Sequence, residues 1–351
     1  MTANSIPDTR TQQTRGQLLE RSLSNWRDEL DGRVAVVTGG ARGIGKVMAD
    51  WLVRAGVKVV ALDRTWRGAD AHKQGLESAQ GLAIEADITK DSDLDNAYDH
   101  VVDRYGGVDI LVNNAALVSE TLFPPMGHRL TLDTTDDDWA AMFGVNVFGT
   151  VKVTRRFIKP MQENGRGSIV NVVSSGILSQ SSGGGYYATR PYTAEMPYQA
   201  AKAAVTTFGF YLAEEVRADG VAVNSFMPGH TRASWFDHTA HAYGQAGQVY
   251  FQRPVVSEHV VPITLFLAAQ DGQHVTGRLY HVPDWNYDSG YGDYAFWQDH
   301  DLPPEMEQMY TALEAATPAF GRTGVPQLPF DAQIALFVSA MGNMARDEAG
   351  E

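Results

Sequence analysis

The stretch that decides the fold is RVAVVTGGARGIGKVMADWLVRAG, residues 33–56. Its first six residues are mostly apolar and β-branched, as in a buried strand. Its last eleven have the amphipathic pattern of a helix that ends at Gly56. Between them, glycines at positions 39, 43 and 45 permit a tight turn and a close approach of a ligand to the backbone. Because a helix N-terminus attracts a pyrophosphate, this strand, turn and helix predict a dinucleotide site.

The same alternation of strand and helix continues from Arg33 to about Val282. Short runs rich in Val and Ile alternate with longer amphipathic segments, which is typical of a parallel sheet covered by helices on both faces. The fold class we predict is α/β, a single Rossmann-like, doubly wound sheet of about seven strands. The predicted strands are RVAVVT from Arg33, VKVVAL from Val57, GLAIEA from Gly81, VDILVN from Val108, SIVNVV from Ser168, VAVNSF from Val221 and RLYHV from Arg278.

Three segments do not fit this alternation and decorate the one domain: the N-terminal 30 residues, residues 179–197 and everything after about Trp285. We predict an N-terminal extension over residues 1–31, a catalytic domain over 32–285 and an acidic C-terminal arm over 286–351. Within the catalytic domain, residues 179–197 are an inserted active-site loop and residues 230–253 are a substrate loop. The arm has eleven acidic and two basic residues, which is −9 of the net −14. Its aromatic residues and an apolar run from Ile334 predict that it docks on the body.

Composition excludes several functions. With 28 Lys and Arg against 42 Asp and Glu, the chain would repel a phosphate backbone, so we expect no nucleic-acid partner. The absence of cysteine excludes disulfides, thiolate catalysis and thiolate metal sites. The first 30 residues are polar and mixed in charge, and no run approaches the ~20 apolar residues of a membrane helix. We therefore expect a soluble, cytoplasmic protein with no membrane partner.

Asp63 indicates which dinucleotide binds. It ends the second predicted strand, 18 residues beyond Gly45, where a carboxylate accepts hydrogen bonds from the adenosine ribose and repels a 2′-phosphate. Arg42 and Arg64 could each reach a 2′-phosphate, or could be solvated surface charges. We predict NAD rather than NADP because Asp63 occupies the more decisive position.

Tyr198 and Lys202 predict the chemistry. They lie four residues apart in the helical stretch YQAAKAAVTTFGFYLAEEV, so both side chains share one helix face. A nearby ammonium favours the phenolate and lowers a tyrosine pKa from its ordinary value of about 10. Tyr198 can then exchange a proton with an alcohol or carbonyl oxygen while hydride passes to or from a nicotinamide. The predicted reaction is the interconversion of an alcohol and a carbonyl.

The sequence resembles the short-chain dehydrogenase/reductase family, in the branch with the TGxxxGxG turn. The resemblance covers about Gly32 to Trp285 and rests on the order of its motifs, each of which is weak alone. It implies an NAD(P)-dependent alcohol dehydrogenase or carbonyl reductase that forms a homodimer or homotetramer. The motifs are TGGARGIG at 38–45, Asp63, ADI at 86–88, NNAA at 113–116, VNVFGT from Val145, the Ser174 region, YQAAK at 198–202, VNSFMPG at 223–229 and VTGRLYHV from Val275.

The resemblance also implies the cofactor contacts. Asp87 and Ile88 would contact the adenine, and Pro228 and Gly229 would lie under the nicotinamide. Ala116 replaces the usual glycine and narrows the cleft. Thr231 and Ser234 are both candidates for the carboxamide contact, and we predict Thr231. The full predicted cofactor set is Thr38, Gly39, Ala41, Arg42, Gly43, Ile44, Gly45, Asp63, Arg64, Asp87, Ile88, Asn114, Ala115, Ala116, Tyr198, Lys202, Pro228, Gly229 and Thr231.

The predicted catalytic residues are Ser174, Tyr198, Lys202 and Asn146. By the resemblance, Lys202 binds the nicotinamide ribose, Ser174 holds the substrate oxygen and Asn146 holds a water of a proton relay. Asn146 could instead be a helix-interior amide bonded to backbone.

The choice of serine has alternatives. Ser174 and Tyr198 are 24 residues apart, more than is usual in the family, so Ser175 and the loop residues Ser179, Ser181 and Ser182 compete with Ser174. We keep Ser174 because a strand end is held more rigidly than a Gly-Ser loop.

The predicted substrate residues are Ser174, Arg190, Trp235 and Phe236. Arg190 could bind a carboxylate or phosphate, or could be solvated. Aromatic residues of the substrate loop favour an apolar or aromatic substrate, or pack on the arm: Trp235, Phe236, Tyr243, Tyr250 and Phe251. No carboxylates complete a site around His230, His238 and His241, so we predict no metal.

Two other functions would use the same fold. A lyase or epimerase would use bound NAD transiently, and a non-catalytic protein would only bind the dinucleotide. The TGxxxGxG spacing argues against the first, and the intact proton-transfer set argues against the second.

Overall fold

The computed structural model describes residues 13–127, 129–177, 196–245 and 253–316. In these residues seven strands form one parallel sheet in the order β3-β2-β1-β4-β5-β6-β7. The predicted doubly wound α/β fold, including all seven strands, is confirmed. The strands are β1 Val34–Thr38, β2 Lys58–Asp63, β3 Leu82–Glu85, β4 Ile110–Asn113, β5 Gly167–Val172, β6 Val221–Met227 and β7 Leu279–His281.

Burial on both faces of the sheet explains why the strand sequences are continuous runs of apolar residues. Helices cover both faces of the sheet, so β1, β4, β5 and β6 are buried at every position, while the edge strands β3 and β7 are partly exposed. In the centre, Val36 pairs with Val60 of β2 on one side and with Leu111 of β4 on the other. The strand order therefore reverses beside β1, and the carboxyl ends of β1 and β4 border a crevice suited to a ligand.

The helices form two layers and a set of short connections. One core cluster lies between the sheet and α1, α2 and α10, and another lies between the sheet and α4, α7 and α8. No helix in the described ranges has the length and apolar content needed to cross a bilayer. The helices are α1 Arg15–Leu30, α2 Gly43–Arg54, α3 Asp70–Ser78, α4 Asp91–Tyr105, α5 Ser119–Leu122, α6 Asp136–Phe143, α7 Thr150–Glu163, α8 Tyr198–Val216, α9 Phe236–Gln245, α10 Val261–Ala268, α11 Val282–Asp288, α12 Tyr294–Trp297 and α13 Pro304–Ala316.

The N-terminal extension contributes to the core through α1. Thr14 and Gln17 form a reciprocal capping box that starts the helix. Leu30 is fully buried in the cluster that holds β1 and α2. On its outer side, Arg15 Nε donates to Phe296 O at 2.9 Å and Arg21 Nη2 donates to Gly290 O at 2.6 Å. The extension thus packs on the sheet layer and bonds to the C-terminal arm.

The described part of the arm lies against the same layer. Trp297 and Tyr294 are buried in the core cluster, and Trp285 stacks on Tyr291 with ring centroids 5.6 Å apart. Helix α11 spans the predicted boundary at residue 285, so the arm continues a helix of the catalytic domain. The apolar run from Ile334 lies outside the described residues.

If α1 is part of the core, truncating a buried α1 side chain destabilises the whole domain. We expect Leu30→Ala to lower the free energy of unfolding by about 2–4 kcal/mol, because the cavity adds to the lost transfer energy. The matched control is Leu132→Ala, at a side chain that is 97% exposed. Urea denaturation should leave the control unchanged, and equal midpoints for both variants would contradict this role of α1.

Candidate active site

The glycine turn after β1 has room for glycine only. Gly39 has φ +65°, and a Cβ there would lie 2.8 Å from Ala115 Cα. A Cβ on Gly45 would overlap Gly39 O and come within 2.5 Å of Asn114 Nδ2. Helix α2 begins at Gly43, and Arg42 at its N-cap makes no side-chain hydrogen bond to the first turn. The N–H groups of that turn therefore remain suited to an anion in the crevice.

Two of the predicted cofactor residues support the turn from behind. Thr38 Oγ1 accepts from the backbone N–H groups of Asn114 and Ala115 at 3.0 and 3.1 Å. Asn114 Nδ2 donates to the carbonyls of Thr38 and Gly39, both at 3.0 Å. Thr38 and Ala41 are buried and do not line the crevice. They connect neighbouring segments behind it instead.

Asp63 is held at the end of β2. Its Oδ2 accepts from Ala41 N at 3.1 Å and its Oδ1 accepts from Thr65 N at 3.3 Å. Arg42 donates to Thr65 O at 3.0 Å, and both Arg42 and Arg64 are exposed at the same end of the crevice. The Asp63 carboxylate, which is predicted to favour NAD, thus lies at the same end of the crevice as the two guanidinium groups, which could bind the 2′-phosphate of NADP.

The crevice continues as one cleft of about 770 Å³, within the range of small-molecule and cofactor sites. It runs along the carboxyl ends of the strands from β2 to β6. Most of the predicted site residues line it: Gly39, Arg42, Gly43, Ile44, Gly45, Asp63, Arg64, Asp87, Ile88, Asn114, Ala115, Ala116, Ser174, Tyr198, Lys202, Pro228, Gly229, Thr231 and Trp235.

Tyr198 and Lys202 lie on the first turns of α8, facing the cleft. Lys202 Nζ is 5.7 Å from the centroid of the Tyr198 ring. The lysine is only 4% exposed, and Nζ donates to Val172 O at the end of β5 at 2.8 Å. Burial lowers the pKa of Lys202 to about 8. The ammonium beside the phenol therefore loses its proton closer to neutral pH than an exposed lysine does.

Ser174 follows the strand end to which Lys202 is tied. It is half-buried, lines the cleft and accepts from Gly176 N at 3.2 Å through Oγ. Ser175 also lines the cleft, so it stays a competitor. The other competing serines, Ser179, Ser181 and Ser182, and the predicted substrate residue Arg190 lie outside the described residues.

The amide of Asn146 is bonded to backbone. Asn146 sits in a π-helical turn, Gly144–Gly149, a form that is often found at functional sites. Its Oδ1 accepts from Leu117 N and its Nδ2 donates to Leu117 O, both at 2.9 Å. The side chain is buried, and Leu117 rather than Asn146 lines the cleft. These contacts are those of the alternative interpretation, a helix-interior amide bonded to backbone. The role of Asn146 in a water relay stays a prediction.

Only one of the two aromatic substrate candidates reaches the cleft. Trp235 lines it, whereas Phe236 is fully buried and packs edge-on against His230 at 5.4 Å. Phe236 is the first residue of α9 and packs with Leu302, Met306 and Tyr310 of the C-terminal arm, so the structure places it away from the cleft. The loop aromatics Tyr250 and Phe251 lie outside the described residues. In the described part of the chain, no group of three or more metal-ligating side chains occurs.

Sequence reasoning missed two buried histidines that hold the backbone of the cleft. His259 Nε2 lies 2.7 Å from Pro228 O, and burial lowers the pKa of His259 to about 4. His72 Nε2 lies 3.0 Å from Gly40 O, while its Nδ1 is 3.2 Å from Asp50 Oδ1. Each histidine is distant in sequence from the backbone that it holds, so no local motif indicates either contact.

Comparison with known proteins agrees with this arrangement. The sequence model described as short chain dehydrogenase matches residues 33–243. The chain belongs to the short-chain dehydrogenase family. It is 64% identical over 329 residues to fluoren-9-ol dehydrogenase from Terrabacter sp. (strain DBF63), covering 93% of this chain and 92% of that protein.

Other short-chain dehydrogenases match a shorter part of the chain. The 3-oxoacyl-(acyl-carrier-protein) reductase FabG from Vibrio cholerae is 29% identical over 261 residues, 72% of this chain and 96% of that protein. A solved 3-ketoacyl-(acyl-carrier-protein) reductase from Brucella melitensis, complexed with NADH, has a TM-score of 0.59 at 28% identity and covers 72% of this chain and 97% of its own. These reductases thus match a length close to that of the catalytic domain, whereas the Terrabacter relative matches nearly the whole chain.

Burial of Lys202 predicts a stability effect of known sign. Its pKa of about 8 in the folded protein lies below the ordinary value, so burying the ammonium disfavours folding fully below about pH 8. This penalty decreases as the pH rises from about 8 to the unfolded pKa of about 10.4. We expect Lys202→Met to raise the free energy of unfolding at pH 7 by about 1–3 kcal/mol, because an apolar side chain of similar volume needs no charge solvation.

The control for this prediction is Lys152→Met. Lys152 is about one-third exposed and pairs with Asp91 at 2.7 Å, an exposed ion pair of the kind that contributes less than about 1 kcal/mol. Urea denaturation at pH 7 and again near pH 10 measures both variants. A destabilised Lys202→Met protein at pH 7 would show that the ammonium contributes net stability.

Proposed function

We propose that the protein is an NAD(H)-dependent dehydrogenase that interconverts a secondary alcohol and a ketone, with Tyr198 as general acid and base. The observation that carries this proposal is the Tyr198 and Lys202 pair. It faces the same cleft as the glycine turn, and Lys202 Nζ is bonded to the strand end that precedes Ser174. An acid–base group beside a dinucleotide cradle is what hydride transfer at a carbinol carbon needs.

The residues of the cleft fit a nicotinamide dinucleotide. The uncapped first turn of α2 and the glycine cradle would hold the pyrophosphate, Lys202 the nicotinamide ribose, and Pro228 with Gly229 the nicotinamide ring. Asp63, whose carboxylate is held by two backbone N–H groups, would accept the adenosine ribose hydroxyls and repel a 2′-phosphate. This anchored carboxylate is why we propose NAD. When bound, the nicotinamide supplies the acceptor and donor of the hydride.

The side chains of the chain itself then move the proton. Tyr198 accepts the hydroxyl proton as the alcohol carbon is oxidised, and returns it to the carbonyl oxygen in the reverse direction. Lys202 favours the phenolate through its positive charge. Ser174 would donate a hydrogen bond to the substrate oxygen and stabilise its developing charge. Asn146, by binding Leu117 on both sides of its amide, would keep the cleft wall and the π-helical turn in register.

An aromatic alcohol is the substrate class that we propose. Trp235, Leu117, Val118 and Val145 line the same cleft as Tyr198, and an apolar wall of this kind favours a flat hydrophobic ligand. The relative at 64% identity is named for fluoren-9-ol, a secondary alcohol between fused aromatic rings. We therefore take fluoren-9-ol as the test substrate.

A second copy of the chain is the partner that we propose. Phe148 after α6 and Tyr211 on α8 are 60% and 72% exposed, and Phe210 is exposed beside them in sequence. Large apolar side chains in such number on neighbouring helical segments are typical of surfaces that bury one another in oligomers. A homodimer or homotetramer through these segments would bury them.

Tyr198→Phe tests the mechanism. We expect the variant to bind NADH with a Kd within about twofold of the wild type, and to lose at least about 10³-fold in kcat for fluoren-9-ol, since only the proton-transfer group is removed. NADH fluorescence measures binding, and NADH absorbance measures turnover. Tyr105→Phe is the control, because that hydroxyl donates to Gln80 O outside the cleft. Retained activity in Tyr198→Phe would overturn the tyrosine assignment, and turnover without net change of cofactor would favour a lyase or epimerase.

Asp63→Ser tests the cofactor proposal. The wild type should have a higher kcat/KM with NAD than with NADP, and the substitution should shift that ratio toward NADP by at least about tenfold, because each 1.4 kcal/mol of lost attraction or repulsion is a factor of ten. Arg64→Gln is the matched control, which should weaken NADP alone. A wild-type preference for NADP would show that the two arginines outweigh the carboxylate.

A further inference from the structure

Three backbone segments meet at the base of the substrate loop. Val255 forms a parallel bridge to Thr231 and an antiparallel bridge to Gln298. Val255 N donates to His230 O and Arg232 N donates to Val255 O, both at 2.9 Å. The two ends of the loop are thus bonded to each other beside Thr231, which lines the cleft.

The C-terminal arm provides the third segment. Val256 N donates to Trp297 O at 3.0 Å, and Asp299 N donates to Pro254 O at 2.8 Å. Trp297 is buried, so the backbone that makes these bonds is itself anchored in the core. The arm therefore holds the end of the loop that returns toward α10.

An arginine at the start of the loop binds the arm. Arg232 forms a bidentate pair with Asp237 on α9, with distances of 2.9 and 2.8 Å. Its remaining nitrogen, Nη1, donates to Asp299 Oδ2 at 3.1 Å and to Asp301 O at 2.6 Å. One guanidinium thus connects α9 to two residues of the arm, with the planar geometry that makes such pairs strong.

A second arginine, Arg253, connects the end of the loop to the arm. Arg253 is only 1% exposed, and its Nη1 donates to Asp299 O at 3.2 Å and to Glu307 Oε2 at 2.6 Å. Tyr294 of the arm donates to Arg253 O at 2.6 Å. A buried guanidinium needs all of its charge compensation from neighbouring groups, so removing it changes the position of both segments.

Apolar contacts complete the attachment. Phe236 and Ala240 of α9 form one buried cluster with Leu302, Met306 and Tyr310 of the arm. Trp235, which lines the cleft, is partly buried and itself packs against this cluster. The arm therefore supports the side chain that forms this part of the cleft wall.

We propose that residues 297–310 of the C-terminal arm are a specificity-determining part of the alcohol site: they hold the substrate loop so that Trp235 forms a fixed wall for a large, flat aromatic alcohol. This inference rests on the proposed function. Small alcohols need less of the wall, so they depend less on the arm. The groups proposed to hold most of the cofactor, namely the glycine turn, Asp63 and Lys202, lie outside the arm and the substrate loop.

Arg253→Met tests the proposal in the full-length protein, with Arg217→Met as the matched control. Arg217 is an exposed arginine paired with Glu214 at 3.0 Å, after the C-terminal end of the helix that begins at Tyr198. We expect kcat/KM for fluoren-9-ol to fall at least about tenfold in Arg253→Met, chiefly through KM, and that for cyclohexanol to fall less than about threefold. The Kd of NADH should stay within about twofold, and the control should match the wild type in every measurement.

Hydrogen exchange gives a readout that does not depend on turnover. Amides of residues 230–245 and 253–256 should exchange at least about tenfold faster in Arg253→Met, while those of β1, β4 and β5 keep their rates. The affinity of the NADH complex for fluoren-9-one should fall in parallel. If Arg253→Met does not fold, Asp299→Asn, which removes the carboxylate charge that Arg232 and Arg15 share, should shift the same quantities in the same direction by a smaller factor.

The outcomes separate the two proposals. Equal losses for both alcohols, a weakened NADH complex or unchanged exchange in the loop would each overturn the role of the arm. A wild-type protein that oxidises neither alcohol would overturn the proposed function, and the exchange rates and the Kd of fluoren-9-one would still decide whether the arm shapes the site.

Discussion

The close approach of the first glycine turn to the segment after β4 is the constraint on which the rest of the structure depends. With Gly39 Cα and Gly45 Cα free of side chains, the backbone of the turn can touch Asn114 and Ala115. A methyl group at Gly39 would overlap Ala115, and one at Gly45 would overlap Gly39 O. The turn, the segment after β4 and the N-terminus of α2 therefore keep their positions only with glycine at both places.

Two buried cationic side chains, Lys202 and Arg253, are a second constraint on the structure around the cleft. Lys202 is buried with its ammonium on Val172 O, and Arg253 is buried against the arm. Burying Lys202 disfavours folding, because desolvating a charge is costly unless its partners compensate it. The Glu307 carboxylate and the Asp299 carbonyl compensate the charge of Arg253. Lys202 lines the cleft and Arg253 is bonded to Glu307 of the arm, and a buried charge is uncommon at a position where packing alone decides the residue.

The described part of the arm and helix α1 pack into the core cluster and so extend it. Arg15 and Arg21 of α1 donate to carbonyls of the arm, and the aromatic rings of Trp26, Phe266 and Trp285 pack in series beside them. Because the arm also bonds to Arg232 and to Pro254 and Val256, helix α1, the arm and the segments around Trp235 are connected to one another.

The sequence by itself determined the sheet, the glycine turn and the pairing of Tyr198 with Lys202, because each is encoded within a few residues. Alternation predicts strands, glycine spacing predicts the turn, and a four-residue spacing puts two side chains on one helix face. The tertiary structure alone decided that Phe236 turns away from the cleft, that the amide of Asn146 binds Leu117, and that His259 and His72 hold its backbone. It also decided that the arm holds the substrate loop. These contacts join residues that are distant in the chain, so their partners are set by how the layers pack, which no local pattern records.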